Sequence, residues 1–226
     1  MASESWELDH IFVWTSVGAP EAACLAELGL AEGTPNEHPG QGSACRRFFF
    51  ANAYVELLWV CDLVEVRSER SRPTQFYERW SERANGACPF GFCFRPAEPG
   101  QSHPPFKSWQ YRPTYLPEPL CIEVGTNVGV LSEPWLGYLS FAKRSDRYPL
   151  ARRQPLEHAL GLRELTRAEI ASPYDEVISP ELKAVLDAKL IQLRPGAEYF
   201  VELGFDSEAH NQKRDLRPAL PLVFFW

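Results

Sequence analysis

Two stretches of this chain, near residues 8–62 and 156–225, spell nearly the same succession of elements, and that succession constrains the fold more than any other feature. In the first, "LDHIFVW" is a β-branched and aromatic run suited to a strand. "GAPEAACLAELGL" then reads as a helix. Pro20 suits its first turn, Glu21 complements its dipole, Leu25 and Leu28 recur at helical spacing, and Gly29 suits the stop. The turn-rich "TPNEHPGQG" leads to the strand-like runs "ACRRFFFAN" and "AYVELLWVCD", with a short strand expected earlier, over 30–34. In the second stretch, "HALGLRELTRAEI" reads as a strand and "SPELKAVLDAK" as a helix. Ser179 can cap that helix, Pro180 fits its first turn, and Leu182, Val185 and Leu186 make one apolar face. "LIQLRPG", "EYFVELGFD" and "LPLVFFW" follow as three more strands. A βαβββ order that appears twice is an internal structural repeat.

Twenty prolines and fourteen glycines in 226 residues are too many for a helical bundle and point to strands joined by turns. The expected fold is therefore α+β: paired βαβββ modules forming an open cupped mixed sheet, with an irregular Pro-rich middle segment. The boundaries read as 1–65 for the first module, 66–150 for the connecting segment and 151–226 for the second module. Within the connector, "TQFYERWSERAN" suits a short surface helix, and "PFGFCFRP", "LCIEVG" and "PWLGYLSF" are short strand candidates.

A net charge of −7 argues against nucleic acid as a partner, because such proteins carry a basic balance or stripe. No apolar run is long enough to span a membrane. The six cysteines include no CxxC pair, so a zinc knuckle or thioredoxin motif is not indicated. Most sit in apolar runs, where Cys acts as a small hydrophobe. With no signal-like segment at the N-terminus, the expected setting is reducing and cytoplasmic.

The repeat also carries chemistry. "LDHIFV" at 8–13 is echoed by "LEHALG" at 156–161, and "AYVELLWVCD" at 53–62 by "EYFVELGFD" at 198–206. His10 with Glu56, and His158 with Glu202, thus recur at nearly one spacing. Strand alternation puts His10, Phe12 and Trp14 on one face, with Ile11 and Val13 on the other, and does the same for Tyr54, Glu56 and Leu58. A carboxylate centred in "AYVELLWV" needs a cation, a hydrogen-bond partner or water.

With "LDHIFVWTS", "HPGQGSACRRFFF" and "YVELLWV" in the first quarter, and "WQYRPTYLP" and "DLRPALPLVFFW" later, the sequence resembles the vicinal oxygen chelate superfamily, and within it the bacterial glyoxalase-like proteins. The resemblance implies βαβββ modules curled around a cleft, where a ligand opening a module's first strand joins a Glu on its last. That puts His10 and Glu56 forward as metal ligands, with His158 as their second-half echo and Glu202 as a proton-moving carboxylate. Imidazole plus carboxylate suits zinc, nickel, manganese or iron. His38, Arg47, Trp109 and Arg112 are the expected substrate-binding residues. The implied activity is a divalent-metal-dependent lyase, isomerase or dioxygenase acting on adjacent oxygens. A metal-free small-molecule-binding protein on the same fold is the alternative, and the apolar final strand suits a homodimer as a further partner.

Plainer readings stand beside these. Glu56 could pair across strands with Arg46 or Arg47. His158 could serve only as a strand-end hydrogen bonder, and Glu202 could lie on a solvated sheet face. If His10 lines a cleft, replacing it with Ala should cost little stability.

Overall fold

The computed structural model describes residues 5–98, 103–174 and 177–226. Residues 99–102 of the Pro-rich middle segment lie outside these. The fold is mixed α+β, with few and short helices and two mixed sheets, the larger one curled into an open cup.

The first module forms as its sequence predicts, with one shift. Strand β1 (Trp6–Trp14) leads to helix α1 (Ala22–Glu27), then β2 (Asn36–His38), β3 (Ser43–Phe49) and β4 (Tyr54–Val60). The strand expected over 30–34 is absent; pairing instead begins at Asn36, opposite Cys45. Helix α1 stops where Gly29 takes φ 90°, a conformation that costs glycine little. β1 pairs in parallel with β4, while β4, β3 and β2 pair antiparallel.

The other half of the cup comes from the middle of the chain. After the short helices α2 (Leu63–Val66) and α3 (Phe76–Ser81) come β5 (Phe90–Pro96), β6 (Ser108–Tyr111), β7 (Ile122–Gly125) and β8 (Trp135–Tyr138). The eight strands run β2-β3-β4-β1-β5-β8-β7-β6. The order β2-β3-β4-β1 is thus mirrored as β6-β7-β8-β5 across the antiparallel β1/β5 seam. Among the described residues, no helix lies between β5 and β6 to match α1.

This corrects the expectation that the C-terminal segment is the second module of the cup. That segment builds a separate five-stranded sheet from β9 (Leu165–Ser172), helix α4 (Pro180–Asp187), β10 (Gln192–Pro195), β11 (Phe200–Phe205), β12 (Lys213–Asp215) and β13 (Leu222–Phe225), in the order β10-β9-β11-β13-β12. Helix α4 with its Ser179 cap and strands β10, β11 and β13 fall where the sequence predicts; β9 begins only at Leu165, and β12 is an additional strand. The pairing departs from that of the first module: β9 lies between β10 and β11, whereas β1 pairs with the last strand of its module. Element order repeats, but edge pairing depends on which apolar faces meet, and period-two patterning carries no information about that.

Alternation then sorts the side chains. Ile11, Val13, Val55, Leu57, Phe92 and Phe94 point to the convex face and merge with α1, α4 and the inner face of the C-terminal sheet in one apolar core. Phe12, Trp14, Leu58, Cys93 and Trp135 point into the cup, where Phe76 of α3 closes one end. Phe12, Trp14, Phe76 and Trp135 meet at centroid distances of 5.2–6.0 Å, mostly edge-on or tilted, the geometry that aromatic quadrupoles favour. Among the described residues, no helix is long and apolar enough to cross a membrane. All six cysteines are free thiols.

Gly91 sits opposite Phe12 across the seam, and a Cβ there would come within 2.0 Å of the Phe12 ring, which its aromatic neighbours hold in place. Gly91→Ala is expected to cost about 1–3 kcal/mol by overpacking, and Phe12→Leu should recover part of the loss. Urea midpoints of the two single variants and the double variant test this. Equal midpoints for wild type and Gly91→Ala would show that the seam yields.

Candidate functional site

The concave face of the first half holds a buried polar array. A bulge in β1 creates it: Leu8 faces Phe94 and His10 faces Cys93, so Asp9 is the extra residue. Bulging breaks alternation and leaves Asp9 and His10 both buried, with Asp9 Oδ2 accepting a 2.7 Å hydrogen bond from His10 Nδ1. The imidazole stacks on Tyr54 at 4.4 Å, and its Nε2 faces Glu56 Oε2 at 3.5 Å. Behind Asp9, the buried Arg95 donates to the Leu8 carbonyl and to Glu7, with Nη1 4.0 Å from Asp9 Oδ1.

Burial opposes a charge on His10, but Cys93 and the Asp9 carboxylate outweigh it and hold the ring's pKa well above the ordinary histidine value. That direction favours the protonated ring, which lies between the side chains of Asp9 and Glu56. His38 is its opposite. Burial first, then the cations at Arg47 and His10, push its pKa down despite Glu56. Asn36 Nδ2 lies 3.0 Å from His38 Nε2, and His38 Nδ1 lies 2.9 Å from Ser43 Oγ, so the neutral ring accepts from the amide and donates to the hydroxyl. Burial, reinforced by Glu56, drives the Cys45 thiol far above its usual range.

One ligand atom each from His38, Cys45 and Glu56 lie within 4.8 Å of one another. They come from β2, β3 and β4, whose pairing brings inward-facing positions side by side. A nitrogen, a sulfur and an oxygen donor suit zinc chemistry, and a divalent ion would engage His38 by taking the place of the Asn36 amide at Nε2. His10 stands beside it.

The array lines a cavity of about 170 Å³, walled on the far side by Cys93, Trp135 and Leu139. The Pro-rich segment folds over it. Tyr115 packs on His38 at 4.9 Å and donates to Gln41, while Thr114 Oγ1 donates to the Pro39 carbonyl.

Of the residues predicted from sequence, His10, Glu56, His38 and Arg47 all meet here. Glu56 pairs with neither arginine: Arg46 turns outward to Glu32, and Arg47 donates to the Thr34 carbonyl. Four residues are corrected. His158 lies before β9, not on a strand; its Nδ1 accepts from Ala31 N–H, its Nε2–H donates to the Phe49 carbonyl, and its ring packs on Phe50 in the convex core, away from the cleft that holds His10 and Glu56. Glu202 lies on the outer face of the C-terminal sheet, ion-paired with Arg167 and Arg194; these outweigh burial, lower its pKa and rule out proton shuttling at the cleft. Arg112 donates to Pro119 and Gln110, and Trp109 packs edge-on to Tyr111, so neither lines the cavity. The carboxylates of the middle segment do not reach the cavity either: Glu133 is tied to Asn127 and Ser179, and Glu123 to Ser108 and Gln110.

Asp9, Cys45, Tyr54 and Tyr115 belong to the site and escaped the sequence reading. Inward alternation with Glu56 was a signal for Tyr54, and β3/β4 register for Cys45. Asp9 needed the bulge and Tyr115 the loop path.

No protein-family model matches the sequence, and no curated protein matches it. Among solved structures, a hypothetical protein from Staphylococcus aureus is similar at 10% identity, with 97% of this chain and 98% of that one covered and a TM-score of 0.51. A hypothetical protein from Bacillus halodurans C-125 aligns at 12% identity over 62% of this chain and 98% of its own, with a TM-score of 0.42. The first likeness is one of fold and spans both sheets; the second is too distant to add to it.

Two stability tests follow. The burial and pairing of His10 replace the expectation of a small loss with a larger one: His10→Ala leaves Asp9 buried without its nearest donor and should cost about 1–3 kcal/mol. Because the folded pKa is raised, the pairing stabilises fully below the unfolded histidine value and is lost as pH rises through the folded one. The gap in urea midpoint between wild type and His10→Gln should therefore narrow as pH climbs above neutral; a gap that stays constant would contradict the ion pair. His158→Ala should likewise cost about 1–3 kcal/mol by stranding an amide and a carbonyl, while leaving ligand binding in the cleft unchanged by calorimetry.

Proposed function

We propose that this protein is a glyoxalase-like small-molecule enzyme, a lyase or isomerase that moves a proton beside a carbonyl on a substrate with adjacent oxygens. The observation that carries this reading is the buried Asp9–His10–Glu56 array on the concave floor of the cup. Glu56 is the base: its carboxylate faces the cavity from a central strand, away from bulk water. The His10 imidazolium is the donor that stabilises the enediolate oxygen, held in orientation by Asp9 and by the Tyr54 stack. A preorganised charged donor of this kind favours the transition state because it does not have to reorient as charge develops. Phe12, Trp135 and Leu139 exclude water around the reacting carbon.

His38, Cys45 and Glu56 are the residues that would hold a divalent ion, in place of the His10, Glu56 and His158 set expected from sequence. Such an ion supplies Lewis-acid charge to the substrate oxygens. A donor set that contains a cysteine sulfur, which would bind as thiolate once an ion displaced its proton, suits zinc better than an oxygen-activating iron site, and this supports lyase or isomerase chemistry over dioxygenase chemistry.

A second reading, a binding protein without turnover, has one observation in its favour. The second half of the cup contributes Cys93, Trp135 and Leu139 to the cavity and no carboxylate or imidazole. The cleft is chemically one-sided.

Solvent-deuterium exchange separates the two. Protein in D₂O with phenylpyruvate or 2-hydroxyacetophenone should wash out the proton next to the carbonyl, followed by NMR. Glu56→Gln should slow washout by about 10²–10⁴-fold, and His10→Ala by about 10²–10³-fold. Binding without washout would favour the second reading. Elemental analysis of untagged protein should find zinc in wild type and less in Cys45→Ser; equal content would remove the trio from the account.

A further inference from the structure

A larger cavity, about 410 Å³, opens beside the one that holds His10 and Glu56. The two share Arg47, Tyr54, Leu139 and Phe141 as walls, so they adjoin, and we call them the outer and inner ends. The inner end alone, at about 170 Å³, is smaller than the roughly 300–1,000 Å³ of ordinary small-molecule sites. The outer end, at about 410 Å³, lies within that range.

Its charge is distinctive. Arg47, Lys143 and Arg152 line the outer cavity, and Asp9 is the one acid among its lining residues. Asp9 already accepts from His10 and lies near Arg95. None of the three cations has a carboxylate partner among the described residues, and Arg47 donates to a single backbone carbonyl. The neighbouring Arg144, by contrast, is saturated by Asp146 and Glu164. Three cations left free of acids, around one cavity, in a chain of net charge −7, run against the average field of the molecule. Phe49, Tyr54, Phe141 and Tyr148 supply flat walls between them.

We propose that this outer cavity binds the anionic end of the substrate: a carboxylate or phosphate carried on an aromatic or otherwise planar body. This rests on the proposed function, because the reacting oxygens then point inward to His10 and Glu56. Arg47, common to both ends, contacts the junction between body and anion, and Lys143 and Arg152 close on the anion from the rim. Association should be steered by their field and weakened by salt.

Titration calorimetry with 2-naphthoate, 2-naphthyl phosphate and the neutral 2-naphthol tests this. Wild type should bind at least one anion about tenfold or more tighter than the naphthol, with affinity falling as salt is added; which anion wins distinguishes carboxylate from phosphate. Lys143 and Arg152 are exposed, so the Lys143→Ala/Arg152→Ala double variant should fold normally, checked by its urea midpoint, and lose about tenfold in anion affinity with little change for naphthol. Failure of both anions to bind at millimolar concentration, equal affinity for anion and naphthol, or an undiminished preference in the double variant would each overturn the proposal. Glu56→Gln should retain the anion preference. Anion binding without deuterium washout would therefore sink the enzyme reading alone, and washout without anion preference would sink this inference alone.

Discussion

Strand β1 is paired along both edges and buried on both faces, and the rest of the molecule is arranged to meet what that burial demands. From Asp9 to Trp14 the strand is buried and has no water for the groups it carries, so each of those side chains needs an apolar neighbour or a polar partner. Ile11 and Val13 find theirs in the convex core, among residues of α1, β5 and the C-terminal sheet. Phe12 and Trp14 find theirs under Phe76. Asp9 and His10 cannot be satisfied that way. The bulge resolves this by turning them toward each other and toward Arg95 and Glu56.

That solution makes the two halves of the cup unequal. They mirror each other in strand order, yet the first half contributes imidazoles, carboxylates, a thiol and an arginine to the concave face, while the second contributes mainly rings and aliphatic groups. One wall carries chemistry and the other carries shape. The asymmetry keeps the electrostatics tractable: His10, its pKa raised, lies between Asp9 and Glu56, while burial and the groups nearby lower the pKa of His38. A second polar wall would have brought more buried charge, each group of which needs a partner of its own.

The C-terminal sheet does a different job. It covers the convex face, which would otherwise expose a broad patch of Phe, Leu, Ile and Val to water. Its outer face is tied by Arg167, Arg194, Glu169 and Glu202, a half-exposed network that suits a solvated sheet surface. His158 belongs to this structural role, joining the approach to β9 onto the end of β3.

The sequence by itself determined what depends on local periodicity. Alternation separated Ile11 and Val13 from His10, Phe12 and Trp14, and placed Glu56 inward, because side chains in a strand change face at every residue. Caps and breakers marked α1 and α4 for the same local reason. His38 and Arg47 were legible as polar residues in or beside a glycine turn leading into β3. What only the tertiary structure decided was which edges pair and which exceptions to alternation survive. The likeness of "LEHALG" to "LDHIFV" was a resemblance of letters; the second half of the cup comes from 90–138, because β5, not β9, pairs with β1. Asp9 enters the site only through a bulge, Tyr115 only through a loop crossing the cup, and Cys45 becomes a ligand candidate only once β2, β3 and β4 are in register. Pairing, bulging and loop path are set by the meeting of surfaces distant in sequence, and a linear pattern of apolar and polar residues does not encode which surface meets which.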